Sequence, residues 1–381
     1  MTMKKSQVEK ILKDKNKKGK IIDWQGKKMS SIGMARVYEN IAKQIRAEYK
    51  ARGVHTRMKK SKDGAETSMS AGLYDRTGKR VVNYEKRAEN MRFCGSYLDF
   101  ADIGDKLKLL KANFCRVPLC PMCQWRKSLR VFFDTSKVID EVENRDKNIK
   151  HIFLTLTVKN CSLEDLALNL DNIYKGWDNL MRSRTLNPMV KGEIKHVIKG
   201  WFRALEIEYN SDKNTFHPHF HAILNVDKSY FKGSDYLKTE EWVQLWRKSV
   251  KLDYDPICDI RKVKNNGNRK DIAEVAKYTY KDATILKDIL SDDTKAEIIK
   301  YLSVALHQRR LYAYGGVMKE IAAELKLKDV DKADLIKTSD DYEINSSVAK
   351  MILSYCWSMG LSNYILVKKV EADESDERLG E

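Results

Sequence analysis

The residues best equipped for chemistry lie in one eleven-residue stretch, Phe216-His-Pro-His-Phe-His-Ala-Ile-Leu-Asn-Val226. Its even positions (Phe216, Pro218, Phe220, Ala222, Leu224, Val226) are apolar, and its odd ones begin His217, His219, His221. Strict alternation marks a half-buried strand, with one face on a core and the other presenting a column of imidazoles. A strand rises about 3.3 Å per residue, so His217 and His221 stand about 13 Å apart and cannot share one ion. Only an adjacent pair can. The preceding segment selects which. In Trp201–Asn210 Trp201, Leu205, Ile207 and Tyr209 fall on odd positions and Glu206 and Glu208 on even ones, and the polar run 210–215 predicts a hairpin turn. If Tyr209 pairs with Phe216, Glu206 stands opposite His219 and diagonal to His221, with Glu208 opposite His217. A one-residue slip would bury both carboxylates unpaired, which desolvation forbids. The hairpin thus predicts a metal site of Glu206, His219 and His221 with open positions, Glu208 being the competing carboxylate. The plainer reading is a polar sheet face with solvated histidines.

A second group of ligand-forming residues is Cys94, Cys115, Cys120 and Cys123, four of the seven cysteines. A Cys-x4-Cys-x2-Cys knuckle with a fourth thiol upstream suits a structural, tetrahedral Zn²⁺, and a reducing compartment favours metal over bridges. Buried free thiols are the alternative, with Cys94 the weakest of the four assignments. Cys161, Cys258 and Cys356 read as lone structural thiols.

The third group lies in Asp271-Ile-Ala-Glu-Val-Ala-Lys-Tyr-Thr-Tyr-Lys281. At helical spacing Ile272, Val275, Ala276, Thr279 and Ala283 form one stripe, and Glu274, Tyr278 and Lys281 share the opposite face. A tyrosine one turn from a glutamate, off the core face, is a candidate nucleophile with an acid–base partner. Taken alone, the pair reads as a surface aromatic and a capping-box glutamate opposite Asp271 before it reads as a catalytic pair.

The elements that position these groups follow in order. His151–Asn160 is a strand and Ser162–Arg184 a helix with Ser162 as its N-cap. The hairpin comes next, then a helix over about 239–248 and a strand Pro256–Val263. This order gives an α+β fold: a central antiparallel sheet with helices on one face. The chain divides into a basic region 1–90, a Cys-rich zinc-binding module 91–130, the chemical domain 131–285 and a helical region 286–381. Ser30–Arg52 has amphipathic helical spacing. Helices are also predicted over Ile285–Arg310 and Val317–Leu327, with a terminal helix over Met351–Leu366.

The chain has 381 residues and a net charge of +18, which points to a polyanionic partner. Residues 1–90 hold 24 Lys/Arg against 10 Asp/Glu, most of that surplus. This region reads as a DNA-contacting arm or as a solvated leader. No apolar run approaches the ~20 residues of a membrane span and no signal peptide opens the chain, so a cytoplasmic location is expected.

Taken together, the motifs resemble the rolling-circle plasmid replication initiators of the single-tyrosine type found on small Gram-positive plasmids, within the HUH endonuclease superfamily. The carriers are Phe153-Leu-Thr-Leu-Thr157, His217-Pro-His-Phe-His221, Glu274-Val-Ala-Lys-Tyr278 with Lys281-Asp282, and the knuckle Cys115–Cys123 ending Trp125-Arg126. Order and spacing agree over residues 90–285. The resemblance implies an HUH palm fold and metal-dependent, strand-specific nicking at the double-strand origin. Tyr278 would be the nucleophile, leaving a 5′-phosphotyrosine and a 3′-hydroxyl primer, with Glu274 assisting hydrolytic termination and Lys281 neutralising phosphate. It implies Mn²⁺ or Mg²⁺ at the nicking site, and as partners the plasmid origin, its single-stranded nick site, and a host helicase and DNA polymerase.

Competing readings are a mobilisation relaxase or single-tyrosine transposase, which share the metal hairpin, and a zinc-containing DNA-binding regulator without catalysis. A zinc nucleobase deaminase is excluded, because no His-x-Glu occurs and the cysteines precede the histidines.

Overall fold

The alternation of residues 198–227 builds the middle of a five-stranded sheet. In this computed structural model the described residues are 13–15, 21–51, 59–60, 66–67, 72–74, 80–103, 107–263, 270–276, 290–328, 334–336, 338 and 351–371. The main elements begin with helices α1 (Trp24–Ala51) and α2 (Tyr84–Phe93), strands β1 (Tyr97–Asp102) and β2 (Leu107–Ala112), and helix α3 (Pro121–Arg145). Strand β3 (Ile149–Thr157), helix α4 (Leu166–Met181), the hairpin β4 (Ile198–Asn210) and β5 (Thr215–Asp227), helix α5 (Thr239–Val250) and strand β6 (Cys258–Lys262) follow. Then come α6 (Lys270–Val275), α7 (Asp292–Ala305), β7 (Tyr312–Gly316), α8 (Val317–Glu324), β8 (Met351–Ser358) and β9 (Asn363–Glu371).

The chain forms two compact units. The unit of residues 131–284 and 301–333 carries the sheet β6-β3-β5-β4-β7, antiparallel at every pairing. Strand β5 lies at its centre, so neither of its edges meets solvent. On one face Trp177 of α4 packs edge-on against Phe220 and Trp201. Helix α5 joins that layer, its Trp246 indole N–H donating 2.8 Å to the Thr157 carbonyl.

The other face is covered too, where helices on one face only were expected. Phe153, Ile223 and Phe202 lie in one cross-strand row on the histidine side and are fully buried. An apolar row of that size needs a cover. The later part of α3 provides it, with Glu143 bonded to His151 at 3.1 Å and Thr135 to Tyr314 at 2.8 Å. Only the end of β5 with His217, His219 and His221 keeps a polar face.

Strand β7 is absent from the sequence reading, which ran one helix through Ile285–Arg310; α7 ends at Ala305 and β7 joins the edge of β4. Glycines permit that approach: a Cβ on Gly315 would fall within the Trp201 indole, and Gly316 has φ +55. Helix α4 starts at Leu166, because the Ser162 hydroxyl accepts the Asp165 N–H at 3.2 Å in a turn before the helix.

The unit of residues 1–130, 285–300 and 334–381 contains the sheet β9-β8-β1-β2. Here the terminal helix expected over Met351–Leu366 is instead the hairpin β8–β9. The apolar spacing suits either element. Tyr, Ile, Val and Trp on both sides of a turn at Gly360 decide for strands. Among the described residues the expected helical region 286–381 thus holds three strands beside α7 and α8.

The crowding at Gly315 yields a stability test. Gly315→Ala should lower stability by about 1–3 kcal/mol through overpacking against Trp201. Gly360→Ala, where an added Cβ meets nothing within 4 Å, should stay within about 0.5 kcal/mol. Thermal unfolding of both variants checks this.

Candidate metal centres

The hairpin register sets the first centre. Glu206 pairs with His219, Glu208 with His217 and Tyr209 with Phe216. On the other side of β5, His219 pairs with Thr157 and His221 with Thr155. Glu206, His219 and His221 are each less than a tenth exposed, and their ligand atoms lie within 4.8 Å of one another. His221 Nε2 stands 3.0 Å from Glu206 Oε2 and 3.2 Å from His219 Nε2, with His219 Nε2 to Glu206 Oε2 at 3.7 Å. Glu208 is not in this group.

Hydrogen bonds at the far ring atoms orient the imidazoles. His219 Nδ1 lies 3.1 Å from the His217 carbonyl, which only accepts, so Nδ1 carries the proton and Nε2 keeps its lone pair. His221 Nδ1 bonds the Thr155 hydroxyl at 3.0 Å. Two Nε2 atoms at 3.2 Å with lone pairs converging repel unless a proton or a cation sits between them. Ligands about 2.1 Å from one ion lie about 3 Å apart when cis, close to the separations here, so the donor set fits a divalent cation. Burial opposes ionisation of Glu206, but hydrogen bonds and charge from His219 and His221 outweigh it and hold its carboxyl well below the usual range. At His217, burial and then the charge of His219 lower the imidazole pKa.

Of Glu274, Tyr278 and Lys281 only Glu274 is described; Tyr278 and Lys281 lie outside the described residues. Asp271 sits inside α6 rather than at its cap, and Glu274 accepts from Arg261 Nη2 at 2.9 Å, so the capping-box alternative does not hold. The Arg261 guanidinium lies over the Phe153 ring at 4.2 Å, and Phe153 touches His221 with ring centroids 5.6 Å apart. Arg261 therefore links the glutamate helix to the histidine strand. Sequence reasoning gave neither Arg261 nor Thr155 a role. Period two placed Phe153, Thr155 and Thr157 on one side, which was the available signal for Thr155; Arg261 offered none.

The second centre is the thiol cluster. Cys94, Cys115, Cys120 and Cys123 have Sγ atoms within 4.8 Å of one another. Cys94 to Cys123 is 3.5 Å and Cys115 to Cys123 3.7 Å. Four sulfurs 2.3 Å from a tetrahedral zinc would be about 3.8 Å apart, whereas a disulfide needs about 2.05 Å. The Arg116 N–H donates to Cys123 Sγ at 3.2 Å and the Cys115 N–H to Cys94 Sγ at 3.4 Å. Arg116 adopts φ 56 to aim that N–H, and Gly95 has φ 62 beside Cys94. Helix α1 supplies unforeseen neighbours. Ser31 Oγ lies 3.5 Å from Cys120 Sγ and accepts the Met122 N–H at 3.1 Å. The buried Lys28 ammonium donates to the Cys94 and Arg92 carbonyls at 2.8 and 2.7 Å. Its burial lowers its pKa to about 8, against the opposing pull of Cys94, Cys120 and Cys115. Lys28 and Ser31 lie 66 and 89 residues from the cysteines they contact, so no local pattern could signal these contacts.

The electrostatics of Glu206 give a pH dependence. Its folded pKa is depressed, so its stabilisation of the metal-free protein is present above the ordinary value of 4.5 and is lost as pH falls below it. Unfolding midpoints measured in EDTA between pH 6 and 3 should fall less steeply for Glu206→Gln than for the native chain.

Comparison with known proteins gives the family. The family model described as "Replication protein", Rep_1, matches residues 106–365. A "Protein rep" of Bacillus amyloliquefaciens is 35% identical over 374 residues, covering 93% of this chain and 97% of that protein. A "Protein rep" of Streptococcus pneumoniae serotype 2 is 31% identical over 366 residues, covering 95% and 97% respectively. One from Lactiplantibacillus plantarum is 34% identical over 290 residues, covering 74% and 88%. No solved structure matches significantly. The chain belongs to the Rep_1 family of replication proteins, the Gram-positive plasmid Rep initiators that its motifs resemble.

Proposed function

We propose that this Rep initiator starts rolling-circle replication by nicking one strand of the plasmid's double-strand origin. The observation that carries the reading is the convergence of Glu206, His219 and His221 on one point at the polar end of β5. Glu206, His219 and His221 would hold Mn²⁺ or Mg²⁺, which when bound supplies Lewis-acid polarisation of the scissile phosphate. The Tyr278 phenolate attacks phosphorus, the bond to the 3′ oxygen breaks, and that oxygen takes a proton to become the primer hydroxyl. The 5′ end stays on the protein as a phosphotyrosine, which conserves the phosphodiester bond energy. Lys281 offsets phosphate charge near the attacking oxygen. The four-cysteine cluster would hold one structural zinc that does not enter the chemistry, and extension of the primer falls to host helicase and polymerase.

Termination falls to Glu274. It accepts a proton from the water that attacks the regenerated nick-site phosphodiester in place of a second tyrosine; the 3′-hydroxyl freed there then attacks the Tyr278 phosphotyrosine, closing the circle and releasing the phenolate. Its contact with Arg261, stacked on the Phe153 ring beside His221, supports a role near the metal centre.

Three variants separate the roles. Tyr278→Phe should lose nicking and the covalent adduct yet keep origin binding; an adduct mapped to Tyr280 in this variant would overturn the assignment. Glu274→Ala should nick and form the adduct at near-native rates but accumulate multimeric products instead of unit-length circles. Normal circle release by Glu274→Ala would leave the hydrolytic role without support. Mild EDTA treatment should remove nicking, Mn²⁺ or Mg²⁺ should restore it, and one zinc per chain should persist throughout by elemental analysis. His219→Ala should abolish the rescue and retain the zinc.

A further inference from the structure

One basic groove has no part in the nicking chemistry. It is an open trough of about 410 Å³ within the unit of residues 1–130, where α2 faces the cysteine knuckle. Lys86, Arg87 and Asn90 of α2 line one side, Arg116 and Pro118 the other, and the buried Val82 and Val117 its base. Local structure explains the arrangement. Asn83 caps α2 by accepting the Lys86 N–H at 3.1 Å, and Tyr84, Ala88 and Met91 form the buried stripe. That stripe turns Lys86 and Asn90, four apart on the opposite face, outward, with Arg87 half-buried at its flank. On the knuckle, the backbone N–H of Arg116 is tied to Cys123 Sγ, so the thiol cluster fixes where its exposed side chain leaves the chain.

The lining defines the ligand class. Among the described residues it contains three cations and two amide side chains, and no acidic or aromatic residue. The nearby Glu85 is paired with Arg46. Cationic side chains and amides contact phosphate oxygens, whereas single-stranded bases call for aromatic platforms. We propose that this groove is a phosphate-backbone site for duplex DNA, gripping the origin region outside the nicking centre and carrying affinity rather than sequence readout. The partner follows from the family assignment, and the proposal does not depend on the nicking reaction.

The test uses full-length, zinc-loaded protein and a duplex fragment of the plasmid's origin. Each phosphate neutralised contributes about 0.9 to the slope of log affinity against log salt concentration. The triple variant Lys86→Ala/Arg87→Ala/Arg116→Ala should flatten that slope by about 2–3 and weaken duplex binding on the order of 10- to 100-fold at 0.15 M salt. Lys86→Ala/Arg116→Ala alters only exposed side chains and should flatten it by about 1–2, whether or not Arg87 contributes to folding. A matched removal of three exposed lysines, Lys228→Ala/Lys232→Ala/Lys326→Ala, should have a smaller effect. An unchanged slope in the double variant overturns the proposal, as does an equal flattening in the matched control. An equal loss for single-stranded DNA overturns the duplex assignment. Cleavage of a single-stranded nick-site oligonucleotide should stay within about twofold of the native rate in the triple variant. If the native protein fails to cleave it, the nicking reading falls, and the salt slopes still decide the groove.

Discussion

The desolvated contact of one carboxylate with two imidazoles is the constraint on which the chemical unit depends. Glu206 is buried and charged, and such a group is tolerated only with partners that compensate lost hydration. His219 and His221 supply them across and along the hairpin. A slip of one residue between β4 and β5 would move every one of these side chains to the opposite face. The penalty for that slip includes an unpaired carboxylate among Phe220, Trp201 and Trp177, so the three residues that converge at the candidate centre also specify the register. Strand β3 adds Thr155 behind His221, and the sheet holds the three side chains on rigid elements rather than on a loop.

That constraint explains why the site was legible from the sequence. Alternation in 216–226 fixed the faces, and the turn 210–215 with the Glu206 and Glu208 spacing fixed the pairing partners. Both signals are local and have period two. What escaped detection was set by other physics. The second covered face of the sheet depends on Phe153, Phe202 and Ile223, which come from three strands and form a row only once paired. Strand β7 is short and glycine-rich, and its place beside β4 comes from the space that Gly315 leaves for Trp201. The hairpin β8–β9 was misread because Met351–Leu366 has apolar spacing compatible with either element, and pairing with β1 decides the outcome.

The cysteine cluster shows a different limit of local reading. The knuckle spacing identified the four thiols, but not that Lys28 and Ser31 of α1 pack against them. Nor did it indicate Tyr364, whose hydroxyl bonds the Gly95 carbonyl beside Cys94 at 2.5 Å. A metal held there would cross-link residues 94–123, and α1 and β9 would pack on that cross-link through Lys28, Ser31 and Tyr364. Such a cross-link stabilises chiefly by restricting the unfolded ensemble, more so as the closed loops lengthen. Residues 1–90 thus include a helix that is integral to the unit, beyond any role of their charge.

The most direct measurement of the central claim is anomalous diffraction from crystals of the full chain grown with Mn²⁺, recorded at the manganese edge. One peak is expected, bonded to Glu206 Oε2, His219 Nε2 and His221 Nε2, with Glu208 and His217 outside its coordination sphere. A peak on Glu208 and His217, or no peak with all three ligands ordered, contradicts the reading of this hairpin as the metal centre.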